Sequence, residues 1–275
     1  MEAKLKRKIS HSEITTYLDC QKKWKLQYVD NIKLSSPHLE FGEMAHKVLE
    51  TNTIPDESLY SNLKEYFKID NWATYFNRVL SELKDFTKDY EVFARELKLE
   101  NEYLVGVIDL ILKRDNTYII CDYKFSNNIK NEVDLFLDEQ LNIYAVLFSQ
   151  RYNVPLENIK ICYINIPKVN VGSPKILSSG KLSKDKNQNT TYDEYLFYID
   201  KLGLNKEDYS DILDILKDKK MIKIYYNTIN VERVKNIFGN IDNVIKDMDK
   251  GYILEHENYM CKNCPYVSVC KRIKL

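Results

Sequence analysis

The segment Gly106–Lys124 constrains this chain most, because it sets two carboxylates and an amine at the ends of two adjoining apolar runs. Tyr103–Leu112 and Tyr118–Tyr123 are rich in Val, Ile and Tyr, which suit a pleated, half-buried surface. The polar tetrad Arg114-Asp115-Asn116-Thr117 between them is turn-forming, so the pair reads as a β-hairpin. Side chains alternate along a strand, which puts Asp122 and Lys124 on one face; Asp109, on the partner strand, can share it. Two carboxylates held close repel each other, and a divalent cation relieves the repulsion. A lysine beside such a cation can orient a water or neutralise charge developing on a phosphate. Those are the requirements of phosphodiester hydrolysis. The triplet alone is weak evidence, since 30% of the residues are charged and a solvated hairpin end needs no chemistry.

At 275 residues the chain is long enough for one large domain or two small ones, and 44% hydrophobic residues can fill a core. Seven Gly and six Pro argue against a linker-rich or disordered protein. No apolar stretch is long enough to span a membrane, and the first eight residues lack the apolar core of a signal peptide. The expectation is a cytoplasmic protein without membrane association, whose six cysteines are metal ligands or core residues rather than disulfides. A net charge of zero speaks against a protein that coats duplex DNA non-specifically. It leaves room for a local positive groove.

Along the chain, Ser10-His-Ser-Glu13 reads as a capping box opening a helix that carries Ile14, Tyr17, Leu18, Trp24 and Tyr28, with Cys20 inside it. Phe41–Glu50 reads as a second helix, holding Gly42 and His46. Leu59–Val92 is helical again, with Trp72, Tyr75, Phe76, Val79, Leu83 and Phe86 as one apolar, core-facing stripe. After the hairpin, the pattern predicts a helix over Asp134–Arg151, a strand over Ile159–Ile166 and another over Met221–Tyr226. Between those strands lie a polar stretch, Lys168–Thr191, and a helical one, Tyr192–Lys217. A closing helix spans about Val231–Lys250, stopped by Gly251. The whole reads as one α/β domain: a small mixed central sheet flanked by helices, with insertions at about 52–93 and 168–220. Lys168, Lys175, Lys181, Lys184 and Lys186 of the second insertion could neutralise phosphates, or simply form a solvated loop.

Cys261-Lys-Asn-Cys264-Pro-Tyr-Val-Ser-Val-Cys270 has metal-ligand spacing, and Cys20 can supply a fourth thiolate. Four Cys suit tetrahedral Zn²⁺ or a cubane iron–sulfur cluster, and ligand chemistry does not choose. Cys121 and Cys162, within apolar strands, read as small buried hydrophobes.

Asp109, Asp122 and Lys124, in the order Gly-Val-Ile-Asp … Asp-Tyr-Lys, resemble the metal-and-water motif of the PD-(D/E)XK nuclease superfamily. The wider pattern is similar to its RecB-like branch, which includes AddB-type nucleases and the CRISPR-adaptation exonucleases with an iron–sulfur cluster. The resemblance runs from Ser10 to Cys270 and implies a restriction-endonuclease-like core. It implies that His46, four residues after Gly42, joins Asp109, Asp122 and the backbone carbonyl of Tyr123 in holding Mg²⁺ or Mn²⁺. By physics alone such a histidine is more often structural. It further implies that Gln140 and Tyr144, one helical turn apart, border the site as a Gln-x-x-x-Tyr element, although both could be plain edge and core residues. For the cysteines it implies a 4Fe–4S cluster over zinc, clamping the segment 252–275 to the helix bearing Cys20. Gln21 stands where relatives often have Pro, which is no ligand.

The reading is therefore a metal-dependent DNA nuclease, more an exonuclease on single-stranded DNA or free ends than an endonuclease. A helicase or integrase is an implied protein partner. The rival is a non-cleaving DNA-end-binding or partner-docking module with a structural metal clip. The catalytic positions all carry competent residues, which argues against it.

Overall fold

The computed structural model describes residues 7–56, 61–67, 69, 72–128, 131–169, 171–251, 253–254, 261–262 and 264–272. Five strands form one sheet: β1 (Glu91–Glu100), β2 (Val105–Arg114), β3 (Thr117–Phe125), β4 (Ile159–Ile166) and β5 (Lys223–Thr228). They lie in sequence order, antiparallel except for the parallel pair β3–β4. The sheet is mixed, as expected. The hairpin β2–β3 closes through Asp115-Asn116, with Arg114 paired to Thr117 and Asp115 at φ 53°. A parallel pair cannot be joined by a tight turn. The crossover runs through two helices, α6 (Glu132–Leu137) and α7 (Glu139–Tyr152), named here by their place in the chain.

Helices cover both faces. On one side α3 (Pro37–Thr51) and α5 (Trp72–Thr87) pack Phe41, Val48, Trp72, Tyr75, Phe76 and Val79 against Leu110, Leu112, Cys121, Cys162 and Ile164. On the other, α1 (His11–Asp19), α7 and α10 (Val231–Asp249) pack Ile14, Tyr17, Leu141, Phe148, Ile237 and Ile241 against Ile111, Ile120, Ile161 and Tyr163. Buried apolar area on both faces is the main stabilising term, so the central strands read as nearly continuous apolar runs. The insertion after β4 has a small core of its own. In it α8 (Tyr192–Lys201) and α9 (Ser210–Asp218) gather Leu182, Tyr195, Ile199, Tyr209, Ile212 and Leu216. Two short helices, α2 (Gln21–Trp24) and α4 (Ser61–Phe67), and the terminal α11 (Val267–Arg272) complete the set among the described residues. No described helix is long and apolar enough to cross a membrane.

Four expectations are corrected. The helix read over Leu59–Val92 ends at Thr87, and β1 follows as a strand that the pattern did not announce. Glu91-Val-Phe-Ala-Arg-Glu-Leu-Lys-Leu-Glu100 is rich in helix-forming charged residues. Its register also shifts between Val92 and Ala94, which blurs the period-two pattern. The helix read over Asp134–Arg151 breaks at Asp138, whose carboxylate accepts the N–H of Leu141 at 2.6 Å and so caps a new helix. Cys20 lies not inside a helix but in the extended break between α1 and α2, capping both. Glu13 does not reach back to Ser10; although Ser10 Oγ accepts Glu13 N–H, the Glu13 carboxylate pairs with Arg7 and takes the indole N–H of Trp24 at 2.9 Å. Much of the segment 252–275 lies outside the described residues.

Candidate active site

The site forms at the end of the sheet where strand alternation slips. Ile108 and Leu110 should share a face, yet they pack into opposite layers. On β1 the same slip occurs at Glu96. Arg95 reaches Leu49 O and Tyr123 Oη on the α3 side, whereas Leu97 packs on the α7 side. Glu96 itself has φ 45°, a left-handed conformation that a non-glycine residue adopts at a cost of order 1 kcal/mol. It falls opposite Asp109, between the pairs Arg95–Leu110 and Leu97–Ile108. The double slip turns both carboxylates toward α3, which carries His46.

His46 Nδ1 lies 3.3 Å from Asp109 Oδ1 and 3.8 Å from Glu96 Oε1. One ligand atom from each of the three residues lies within 4.8 Å of the other two, the spacing of a cation site. The second Asp109 oxygen accepts the backbone N–H of Tyr123 at 2.7 Å, which ties β2 to β3 beyond their paired ladder. Glu96 was missed by the sequence reading. Its only signal is an acidic residue in a run, 93–102, to which the sequence pattern assigns no element.

Asp122 and Lys124 share the other face, as alternation requires. Lys124 Nζ is 2.6 Å from Asp122 Oδ2 and 5.4 Å from the ring of Tyr163, the neighbour of Asp122 on β4. Asp122 is buried, and its Oδ2 has the ion-pair contact without well-directed hydrogen bonds. Burial pushes its carboxyl up to about 7; Lys124 opposes this and the neighbouring Asp109 adds to it. At Lys124 burial is the largest single effect and works downward, but the contact with Asp122 and the charges of Asp138 and Asp109 together outweigh it and hold the ammonium above its ordinary range. For His46, burial also works downward, yet the adjacent carboxylates of Asp109 and Glu96 and the Asp122 charge raise it to about 10. A protonated His46 thus balances two carboxylates. A donor set of one imidazole and several crowded oxygens is what Mg²⁺ or Mn²⁺ takes.

Helix α7 closes the site from the other layer. Gln140 Nε2 donates to Tyr144 Oη at 2.8 Å. Tyr144 is 8% exposed, and its hydroxyl is held above its ordinary pKa by burial, with the Asp122 and Asp109 charges contributing. Its ring rests on Gly106: a Cβ there would lie 2.3 Å from Tyr144 Cε1, so only glycine fits. Asp138, also missed, receives the hydroxyl hydrogen of Tyr163 and fixes that ring under Lys124. His11, at the start of α1, faces the charges of Asp138, Glu139 and Lys124 and is lowered chiefly by burial.

His46 and Asp109 thus meet with Glu96 on the α3 side, so Asp109 does not share the face of Asp122 and Lys124 as expected, because the slip in alternation turns it away; Asp122 pairs with Lys124 and Gln140 with Tyr144 on the α7 side, within reach of the Asp109 charge. The lysines of the insertion do not behave alike. Lys168 sits against α3 and α4, 4.8 Å from the rings of Phe41 and Phe67. The recorded contacts of Lys175, Lys181, Lys184 and Lys186 are instead with the insertion itself and with Lys219, which follows α9.

No disulfide joins the six cysteines. Cys121 and Cys162 are buried neighbours across β3–β4, as expected of small hydrophobes. Cys261, Cys264 and Cys270 follow one another through backbone turns. Two hydrogen bonds bring their segment to the N-terminal helices: Leu254 N–H to Gln21 Oε1 at 2.7 Å, and Tyr266 Oη to Ile32 O at 2.8 Å. Among the described residues, no three of the cysteine sulfurs lie within 4.8 Å of one another.

A family model of the PD-(D/E)XK nuclease superfamily matches residues 8–271. None of the curated proteins compared matches the chain. Among solved structures, a "Putative exonuclease" from Eubacterium rectale is similar at 9% identity and TM-score 0.47, over 93% of this chain and 92% of that one.

Proposed function

The chain belongs to the PD-(D/E)XK nuclease superfamily, and on that premise we propose that it is a Mg²⁺- or Mn²⁺-dependent deoxyribonuclease of the RecB-like, AddB-like branch. Its proposed substrate is single-stranded DNA or a free DNA end. The observation that carries the reading is the meeting of His46, Glu96 and Asp109 at cation-ligand spacing beside the buried Asp122–Lys124 pair.

In this reading His46, Glu96 and Asp109 would hold the cation, with Asp122 and the Tyr123 carbonyl as further ligands implied by the family. A bound divalent cation polarises a phosphate and makes water more acidic. Lys124 orients the attacking water and offsets charge growing on the phosphate oxygens. Tyr163 and Asp138 keep its ammonium in place from below. Tyr144 accepts from Gln140, so its own hydroxyl hydrogen is available to a phosphate oxygen. The two together orient the strand.

Cys20, Cys261, Cys264 and Cys270 would hold a 4Fe–4S cluster. Support comes from the Gln21–Leu254 and Tyr266–Ile32 bonds, which bring the two cysteine-bearing segments together. Four thiolates suit zinc as well, and the resemblance alone favours the cluster. An as-purified protein with stoichiometric zinc and neither iron nor sulfide would refute the cluster.

The test of the nuclease is a time course on end-labelled single-stranded, duplex and circular single-stranded DNA, with Mn²⁺ and with chelator. Metal-dependent shortening of open strands and sparing of circles is expected. Cleavage of circles would make it an endonuclease. Full activity in the Asp122→Ala or Lys124→Ala protein would refute the site.

A further inference from the structure

Lys168 leads from β4 toward a row of aromatic rings that ends at the candidate metal site. Its backbone N–H donates to Asn127 Oδ1 at 2.8 Å, so it is tethered just beyond the end of β3. Its ammonium lies over Phe41 of α3 and Phe67 of α4, 4.8 Å from each ring centre. The row continues in both directions. Outward, Phe67 meets Tyr66 at 4.9 Å, and His38 stands edge-on to both, with its Nε2 3.2 Å from Tyr66 Oη. Inward, Phe41 meets Phe125 at 5.8 Å, and Phe125 meets His46 at 5.7 Å.

Such rows are usually core, and Phe41 is core, being fully buried. The outer end is not: Tyr66 is 54% exposed, His38 is exposed and Phe67 is half-buried. Nor is Lys168 neutralised. Among the described residues no carboxylate forms an ion pair with it, and burial lowers its pKa. Glu40, the carboxylate of the same stretch, is engaged by Ser35 at 2.7 Å and Asn62 at 3.5 Å. A half-buried cation over rings favours an anionic ligand that restores what it lost in leaving water. An aromatic lip beside it favours a flat apolar one. A nucleotide with an unpaired base offers both, whereas a duplex hides its base faces.

We propose that the open outer end of this row is a track guiding a single DNA strand toward the metal site, with Lys168 taking a backbone phosphate and Tyr66 and Phe67 stacking a base, while Phe41 and Phe125 form the packed floor beneath it. The proposal rests on the nuclease reading and extends it to the path of the substrate.

The test is fluorescence anisotropy of labelled oligo-dT and of an abasic strand of equal length, with the full chain in chelator over a range of salt. Lys168→Ala should weaken oligo-dT binding about fivefold or more and flatten the log affinity–log salt slope by about 0.7, the loss of one single-strand phosphate contact. Lys168→Arg should restore both. Tyr66→Ala should weaken oligo-dT binding about tenfold, a typical stacking contribution, and leave the abasic strand unaffected. Circular dichroism and Mn²⁺ calorimetry on each variant establish that fold and metal site persist. Unchanged oligo-dT binding in the Lys168→Ala and Tyr66→Ala proteins, equal losses on duplex, or no oligonucleotide binding by the parent chain would overturn the track. If the parent cleaves DNA yet the variants bind normally, the track alone fails. If the variants lose binding but the parent never cleaves, the nuclease reading alone fails.

Discussion

The two metal-bearing regions proposed here are built in opposite ways. The catalytic end stands on strands: Glu96, Asp109, Asp122 and Lys124 sit on three neighbours of one sheet, buttressed from both layers by His46 and by Gln140 with Tyr144. The cysteine region stands on helix ends and turns rather than on strands. Cys20 occupies a break between helices, and the other three follow turns tied back by two long-range hydrogen bonds. The first is preorganised by packing, so its residues can be exchanged without unfolding the chain. The second, under the proposed cluster, would depend on what it binds, and its residues would carry stability rather than chemistry.

Four predictions press on that contrast. The largest effect is catalytic: Asp122→Ala or Lys124→Ala should reduce single-turnover cleavage by about a thousandfold or more, while the melting temperature stays near that of the parent. Unfolding of either variant would mean that the strands are less self-sufficient than their packing indicates. Next, Cys20→Ala should leave Mn²⁺ affinity unchanged but lower stability by about 3–5 kcal/mol, the scale of releasing a closed loop of this length. Differential scanning calorimetry with iron and sulfide assays reads this out. A smaller loss tests the meeting of strand and helix. Gly106→Ala should cost about 1–3 kcal/mol, because the Tyr144 ring must shift to admit the new methyl group. Chemical denaturation measures it, and Tyr144→Leu in the same chain should recover part of it.

The smallest effect is the dependence of metal binding on pH. The His46 pKa is raised in the metal-free fold, so its stabilising charge is fully present below about 6.5 and is lost as pH rises through about 10. Asp122 is also raised, to about 7, so ionising it costs the metal-free fold stability as pH climbs from its ordinary acid range. A cation must displace these protons. Mn²⁺ affinity should therefore increase from pH 6 to pH 8 with proton release, visible as a calorimetric heat that varies with the ionisation enthalpy of the buffer. Glu96→Gln should shrink that release, since its amide can still accept from His46 but ligates poorly. An affinity that is flat with pH would remove His46 from the ligand set.

How much of this the sequence discloses depends on how local the cause is. The hairpin is legible because two runs rich in Val, Ile and Tyr meet at a polar tetrad, and from it follows the shared face of Asp122 and Lys124. Gln140 and Tyr144 are legible as a helical pair four residues apart. What their spacing does not reveal is that Tyr144 needs Gly106, a contact set by the docking of α7 on β2. Glu96 is illegible for a different reason. Its strand is composed of helix-favouring residues and is decided by pairing with β2, and its left-handed backbone is imposed by that pairing. Asp138 and Cys20 look like interior helix residues because periodicity continues across them, while their side chains cap new helices instead. The five lysines look alike in sequence, and only the packing of α3 and α4 singles out Lys168.

The one parallel pairing in the sheet also has a temporal meaning. β1, β2 and β3 are joined by short turns and form contacts that are near in sequence, the kind that close early in folding. β4 can join only after the chain has made its crossover through α6 and α7. Glu96, Asp109, Asp122 and Lys124 all belong to the early meander, whereas Gln140, Tyr144 and Tyr163 arrive with the crossover. The acidic residues are therefore gathered before their shelter from water exists, and nuclease competence is a late acquisition of the maturing chain.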